Sequence, residues 1–150
     1  MNEPVQTIMT TDPITVSAHH NLHSVRQIFM TNKIHHLPVV DDADKLIGLL
    51  TTYDLWKNEI APADYTNVSV ADVMSTRIAK ISSNDKIGTA AEIFLDNRFH
   101  ALPVVDKDDM LLGIVTSHDV LKYEYMKEYP RPLLFKELLL PISHGDRVSA

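Results

Sequence analysis

Shifted against itself by 65 residues, the chain matches itself without a gap, Val5–Lys57 lying over Val70–Lys122. Identities fall at Val5/Val70, Met9/Met74, Thr11/Thr76, Ser17/Ser82, Ile28/Ile93, Phe29/Phe94, Asn32/Asn97 and His35/His100. They run unbroken through Leu37-Pro38-Val39-Val40-Asp41 over Leu102-Pro103-Val104-Val105-Asp106. Leu46/Leu111, Gly48/Gly113, Thr51/Thr116, Asp54/Asp119 and Lys57/Lys122 complete the set, about a third of the aligned positions. Self-similarity at a fixed period marks a tandem of two units that fold alike. The reading divides the chain into repeat one (5–57), a linker (58–69), repeat two (70–122) and a C-terminal part (123–150). A unit of 53 residues closes a core with difficulty by itself. The two are therefore expected to pack through their sheets, share one core and leave an approximate two-fold axis within the chain.

Each unit carries the same local signals. A short extended stretch, Ile14-Thr15-Val16 or Ala79-Lys80-Ile81, precedes Ser17 or Ser82, a residue type that caps helices. Leu22, Val25, Ile28 and Phe29 then recur at helical spacing, as do Ile87, Ala90, Ile93 and Phe94, and Asn32-Lys33 and Asn97-Arg98 close the helices. Leu37–Val40 and Leu102–Val105 read as strands whose proline must lie near the start or on an edge. Polar turns Asp41–Lys45 and Asp106–Asp109 lead to strands Leu46–Leu50 and Leu111–Val115, and a second helix begins near Thr51 or Thr116. The expected fold is α/β (α+β), with order β-α-β-β-α twice. Pro130 and Pro132 stop the last helix, and Leu133–Leu140 is an apolar extension expected on the surface or on a partner chain.

Composition excludes several classes. The chain has no cysteine, so disulfide frameworks, thiol catalysis and thiolate zinc sites are out. A formal charge of −6 without a basic patch disfavours nucleic acid and anionic membranes as partners. Met1-Asn2-Glu3-Pro4 has neither the basic nor the apolar part of a secretory leader. No apolar run approaches the ~18 residues of a membrane span. The expected address is cytoplasmic.

The doubled pattern V-x-x-[IV]-M-[TS], strand, helix, Ile34-His35-His36-Leu37-Pro38 or Phe99-His100-Ala101-Leu102-Pro103, then G-[LI]-[LV]-T-x-x-D, resembles a tandem pair of CBS domains. The likeness spans Val5–Lys122, about four fifths of the chain. It implies a pseudo-symmetric pair of repeats with two clefts, paired again with a second chain into a homodimeric disc of four repeats. Such modules bind adenosine compounds and regulate an attached or separate effector.

The chemistry of the T-x-x-D segments fits such a ligand. Thr51 with Asp54, and Thr116 with Asp119, place a hydroxyl and a carboxylate at a strand-to-helix junction, where unpaired N–H groups favour phosphate and an ionised carboxylate suits a ribose diol. The same spacing is that of a capping box, in which the threonine and the acid serve only the helix. The resemblance implies clefts built across the repeats. Thr116 and Asp119 would face Asp12, Ile14 and Ile34-His35-His36; Thr51 and Asp54 would face Arg77, Ala79 and Phe99-His100-Ala101. Adenine would lie between apolar strand residues, and the side chains before Leu-Pro would reach toward phosphate.

At those positions stand His35, His36 and His100, with His118 beside Asp119 and Tyr53 at the matching place in repeat one. Related modules supply Arg or Lys to the phosphates; here histidine dominates, with Lys33 and Arg98 nearby. Imidazoles binding phosphate as cations would make affinity for ATP weaken between about pH 6 and 8. The alternative is a packed ring that holds the loop.

No metal site is expected. His19 and His23 are four apart and could share a helix face, but no third ligand stands at a recognised spacing, and repeat two has Asn84 and Gly88 there. Asp41-Asp42-Ala43-Asp44 and Asp106-Lys107-Asp108-Asp109 lack the glycine and final glutamate of a calcium loop. No nucleotide-cradling or nucleophile-elbow motif occurs, and every distinctive feature is duplicated, which suits binding sites and not a catalytic centre.

The expectation is therefore a stand-alone, non-enzymatic regulatory pair without a catalytic cofactor. It would bind AMP, ADP, ATP or S-adenosylmethionine between its repeats and pass its state to a partner protein. The alternative is a ligand-independent dimeric scaffold docking through apolar surfaces.

Overall fold

The computed structural model describes residues 1–130. The apolar segment Leu133–Leu140 lies outside the described residues. A 3-10 turn at Val5–Thr7 and strand β1 (Thr10–Thr11) lead into repeat one: β2 (Val16–Ser17), α1 (Leu22–Asn32), β3 (His36–Val40), β4 (Leu46–Thr51) and α2 (Thr52–Lys57). A short α3 (Val70–Val73) leads into β5 (Ile81–Ser82), α4 (Ile87–Asn97), β6 (Ala101–Val105), β7 (Leu111–Thr116) and α5 (Ser117–Glu128). The order β-α-β-β-α occurs twice, as the repeat implies. No helix among the described residues is long and apolar enough to cross a membrane.

The long helices bury the spacing seen in the sequence: Leu22, Val25 and Phe29 on α1, and Ile87, Ala90 and Phe94 on α4. Each ends where expected. Asn32 and Asn97 donate side-chain hydrogen bonds to the carbonyls of Ile28 and Ile93 (2.9 and 3.1 Å), and Lys33 and Arg98 follow in left-handed conformation. The helix starts differ from expectation. Ser17 and Ser82 lie upstream of the caps, where their carbonyls close turns by accepting from His20 N–H and Asp85 N–H. Asn21 caps α1 by accepting from Ser24 N–H at 2.9 Å, and Lys86 precedes α4 without a side-chain cap. A turn intervenes between each short strand and its helix, which moves the cap four residues on.

β3 is central in the sheet β2-β3-β4, yet it contains Pro38. The two-residue β2 pairs only with Val39 and Val40, so it stops short of the proline. Leu49, opposite Pro38, uses its N–H and C=O on Ser75 instead (2.9 Å each), so the missing proline N–H breaks no ladder bond.

The sequence repeats exchange their leading segments. β1 pairs antiparallel with β7, giving the sheet β1-β7-β6-β5, and Val5 packs with Ile87, Phe94, Leu102 and Val115 of repeat two. Val70 and Val73 pack with Leu22, Val25, Leu37 and Leu50 of repeat one. The single shared core expected from unit length is thus two cores, each completed by the segment preceding the other repeat. The glycine of each G-x-x-T segment is where that segment crosses its sheet. A Cβ on Gly113 would stand 2.6 Å from Thr10 O, and one on Gly48 2.6 Å from Met74 Sδ. At the far end, Leu46 N–H donates to Asp109 O (2.9 Å) and Leu111 N–H to Asp44 O (3.2 Å). These bonds are equivalent under the repeat, so the pseudo-two-fold axis passes between the hairpin tips. Within those tips Asp41 and Asp106 each accept two backbone N–H groups, as turn formers do.

Candidate functional site: two clefts between the repeats

The strand ends opposite the hairpin tips open into two clefts. Cleft A has a volume of about 580 Å³ and is lined by Thr51, Tyr53 and Asp54 from the β4–α2 junction. Arg77 and Ala79 of the crossover before β5, and Phe99, His100 and Ala101 leading into β6, close it. This is the grouping expected. Cleft B, of about 480 Å³, gathers Asp12 and Ile14 from the crossover before β2, Ile34, His35 and His36 from the entry to β3, and Thr116 and His118 from the β7–α5 junction. Asp119 departs from the expected set: it lines a separate groove of about 440 Å³ with Thr7, Lys122 and Tyr123. The cap is the same at both junctions; the surroundings differ, since Asp119 and Lys122 meet Thr7 and Tyr123 in that groove, whereas Asp54 and Lys57 line cleft A.

Both junctions are complete capping boxes. Asp54 Oδ2 accepts from Thr51 N–H and Thr51 Oγ1 (2.7 Å each), and Asp54 N–H donates to Thr51 Oγ1 at 3.2 Å. Asp119 Oδ2 accepts from Thr116 N–H (2.8 Å) and Oγ1 (2.6 Å), with Asp119 N–H returning a bond of 3.2 Å. The remaining oxygens differ. Asp54 is 2% exposed, and its Oδ1 holds Lys57 Nζ at 2.7 Å, a contact that raises the ammonium pKa. Asp119 is half-buried, and its Oδ1 has no hydrogen bond or ion pair among the described residues.

Lys57 is a cleft residue the sequence reading did not single out. Its signal was present: three residues after Asp54, it lies on the same helix face. Its ammonium also stands 5.9 Å from the Tyr53 ring centroid, and Tyr53 meets Trp56 edge to face. Arg98 lines cleft A and Lys33 lines cleft B, so cations do reach both sites. His35, His36 and His100 line both clefts and form the wall between them. Burial lowers the His36 pKa below its ordinary 6.5, assisted by His100 and His35 and opposed by Asp54.

The other histidines stand apart. His19 precedes α1 and His23 lies within it, so they share no helix; both are exposed, and His20 Nδ1 accepts from Ser17 N–H at 3.1 Å. Among the described residues no three His, Cys, Asp or Glu side chains gather as a metal site would require.

The CBS domain family model matches residues 5–55 and 70–125. MJ1225, an uncharacterised protein of Methanocaldococcus jannaschii, is 32% identical over 133 residues, which cover 81% of this chain and 47% of that protein. Its crystal structure superposes with a TM-score of 0.77. An inosine-5′-monophosphate dehydrogenase of the same organism is 34% identical over 83% of this chain but only 23% of its own length. The chain thus spans about half, or about a quarter, of these curated relatives. Two solved structures of comparable size are ligand complexes. CBSX2 in complex with AMP is 26% identical, with a TM-score of 0.75 and coverage of 84% of this chain and 98% of that one. The CBS domain pair of MJ0100, in complex with 5′-methylthioadenosine and S-adenosyl-L-methionine, is 26% identical with a TM-score of 0.73, covering 85% and 99%. Two matched repeats, two exchanged leading segments and two inter-repeat clefts make one conclusion: the chain belongs to the CBS domain family, as a tandem pair.

Proposed function

We propose that this CBS pair is a non-catalytic regulatory module that binds an adenosine-containing ligand, AMP, ADP, ATP or S-adenosylmethionine, between its repeats and passes its state to a partner protein. The observation that carries the reading is that each cleft combines a T-x-x-D junction of one repeat with the crossover and β-entry segments of the other. Solved pairs of similar size and shape hold AMP, or 5′-methylthioadenosine and S-adenosylmethionine.

In this reading adenine lies against Phe99 and Ala101 in cleft A, or Ile14 and Ile34 in cleft B, with Tyr53 or His118 at the rim. The ribose is drawn to the carboxylate at the junction: Asp54 in one cleft, and the open oxygen of Asp119 beside the other. The shared histidines and the one N–H that each capped helix start leaves unbonded, that of Tyr53 or His118, face phosphate. The crossovers that wall the clefts also connect the cores, so a ligand bridging them favours one mutual angle of the repeats. A homodimer is part of the proposal. Met30 and Leu95 are equivalent under the repeat and 64% and 81% exposed; Trp56 and Leu121 are likewise equivalent, at 78% and 67%. Two symmetric pairs of large apolar side chains suit a partner that shares the pseudo-two-fold axis.

The test is thermal unfolding with millimolar AMP, ADP, ATP, S-adenosylmethionine and a 2′-deoxyadenosine control. A ligand at 100 times its Kd adds about 2.7 kcal/mol of stability. Phe99→Ala and Ile14→Trp, which leave both caps intact, should each abolish the shift for one cleft. No shift with any compound would favour the scaffold reading, which the completed capping boxes support by giving both Thr-Asp pairs a role without ligand.

A further inference from the structure

The 65-residue offset pairs each cleft residue with a counterpart, and the pairs differ most in charge. Arg77 in cleft A stands where cleft B has Asp12: the same place on the two crossover segments, with opposite sign. Arg98 and Lys33 are equivalent and both cationic. Lys57 lines cleft A, whereas its counterpart Lys122 lies in the separate groove with Asp119. Among permanently charged side chains, cleft A presents Lys57, Arg77 and Arg98 against Asp54, a net charge of +2. Cleft B presents Lys33 against Asp12, a net charge of zero. The whole chain carries −6, so cleft A is a local positive site on a negative molecule.

From this asymmetry, and resting on the adenosine reading above, we infer that the clefts take ligands of different charge class. Cleft A takes an adenosine polyphosphate, and cleft B an adenosine compound without phosphate. Guanidinium groups bind phosphate oxygens through paired N–H donors, which gives Arg77 and Arg98 a direct role. Lys57 links the two ends of the ligand. When a phosphate draws its ammonium away from Asp54, Oδ1 becomes an acceptor for the ribose diol. In cleft B a phosphate chain would meet the Asp12 carboxylate, a like-charge contact that discriminates against it.

The experiment is calorimetric titration of the full chain with ATP and with 5′-methylthioadenosine, using wild type, Arg77→Asp, Arg77→Gln and Asp12→Asn. Melting without ligand checks that each variant is folded, and asparagine suits the left-handed backbone of Asp12 (φ 47°). Arg77→Gln should weaken ATP about tenfold and Arg77→Asp about 100-fold, with 5′-methylthioadenosine unchanged within about twofold. Asp12→Asn should leave that ATP site intact and admit a second equivalent of ATP. If both compounds bind but Arg77→Gln and Arg77→Asp shift them equally, or shift neither, the charge assignment falls and the adenosine reading stands. Binding of ATP without 5′-methylthioadenosine overturns the cleft B half. If neither compound binds wild type, and AMP and S-adenosylmethionine also fail, the adenosine reading falls and this inference with it.

Discussion

Asp54 and Asp119 occupy the same position of the repeat and make the same cap, yet only one has an oxygen to spare. Asp54 is sealed, with Oδ2 on Thr51 and Oδ1 on Lys57. Asp119 keeps Oδ1 unengaged among the described residues. The part of the motif that makes the fold is kept in both repeats, whereas the surroundings that decide availability differ. A carboxylate that caps a helix with one oxygen can serve a ligand with the other, so the two roles weighed for T-x-x-D are not exclusive. Asp→Ala at either position therefore confounds loss of a ligand contact with loss of a cap; cavity-wall substitutions separate them.

The comparison can be broken hardest at the glycines. The obstruction facing Gly113 is backbone, Thr10 O, whereas that facing Gly48 is the end of the flexible Met74 side chain. Gly113→Ala should cost about 3 kcal/mol and Gly48→Ala about 1 kcal/mol by urea unfolding. Equal costs would mean that the two crossovers yield alike. Next come the carboxylates. Asp54→Ala should destabilise by about 2 kcal/mol, because it strips a cap from a buried position, against about 1 kcal/mol for the half-buried Asp119→Ala. Lys57→Met should cost about 1 kcal/mol, because it leaves Asp54 Oδ1 buried without its partner while the cap on Oδ2 stays intact.

The smallest effect concerns the wall shared by both clefts. His36 is neutral at pH 7, and its folded pKa lies below the ordinary 6.5. As pH falls below about 6.5 the unfolded chain takes up this proton first, so stability declines with acidification and levels off once the folded form is also protonated. His36→Ala, which installs the residue found at position 101, should flatten that part of a stability-versus-pH curve. Any help His36 gives to phosphate belongs to the same acidic window, lower than the pH 6–8 range expected from an ordinary imidazole.

Much of this was legible in the residues. The helix ends at Asn32-Lys33 and Asn97-Arg98, the aspartate-led turns and the grouping of Arg77, Ala79, Phe99 and His100 with Thr51 and Asp54 all appear as read. Local chemistry governs the first two, and the family likeness supplied the third. The helix starts are not legible in the same way, because Ser17 and Ser82 carry the right side chain for a cap but stand one turn too early. Lys57 is not legible as a cleft residue, because a lysine on a short helix reads as a solvated charge until its partner is known to be buried.

The sequence by itself determined that there are two alike units, their element order, and where a hydroxyl and a carboxylate meet at each junction, because periodicity and capping depend on near neighbours. Only the tertiary structure decided that the leading segments cross, that two cores form where one was expected, and that Asp119 turns toward a different groove from Thr116. It also decided which charges enter each cleft, bringing Lys57 into cleft A while its counterpart Lys122 lies with Asp119 in the separate groove. Those outcomes depend on residues tens of positions apart meeting in space, at glycines that let backbones approach and around an axis that no local pattern records.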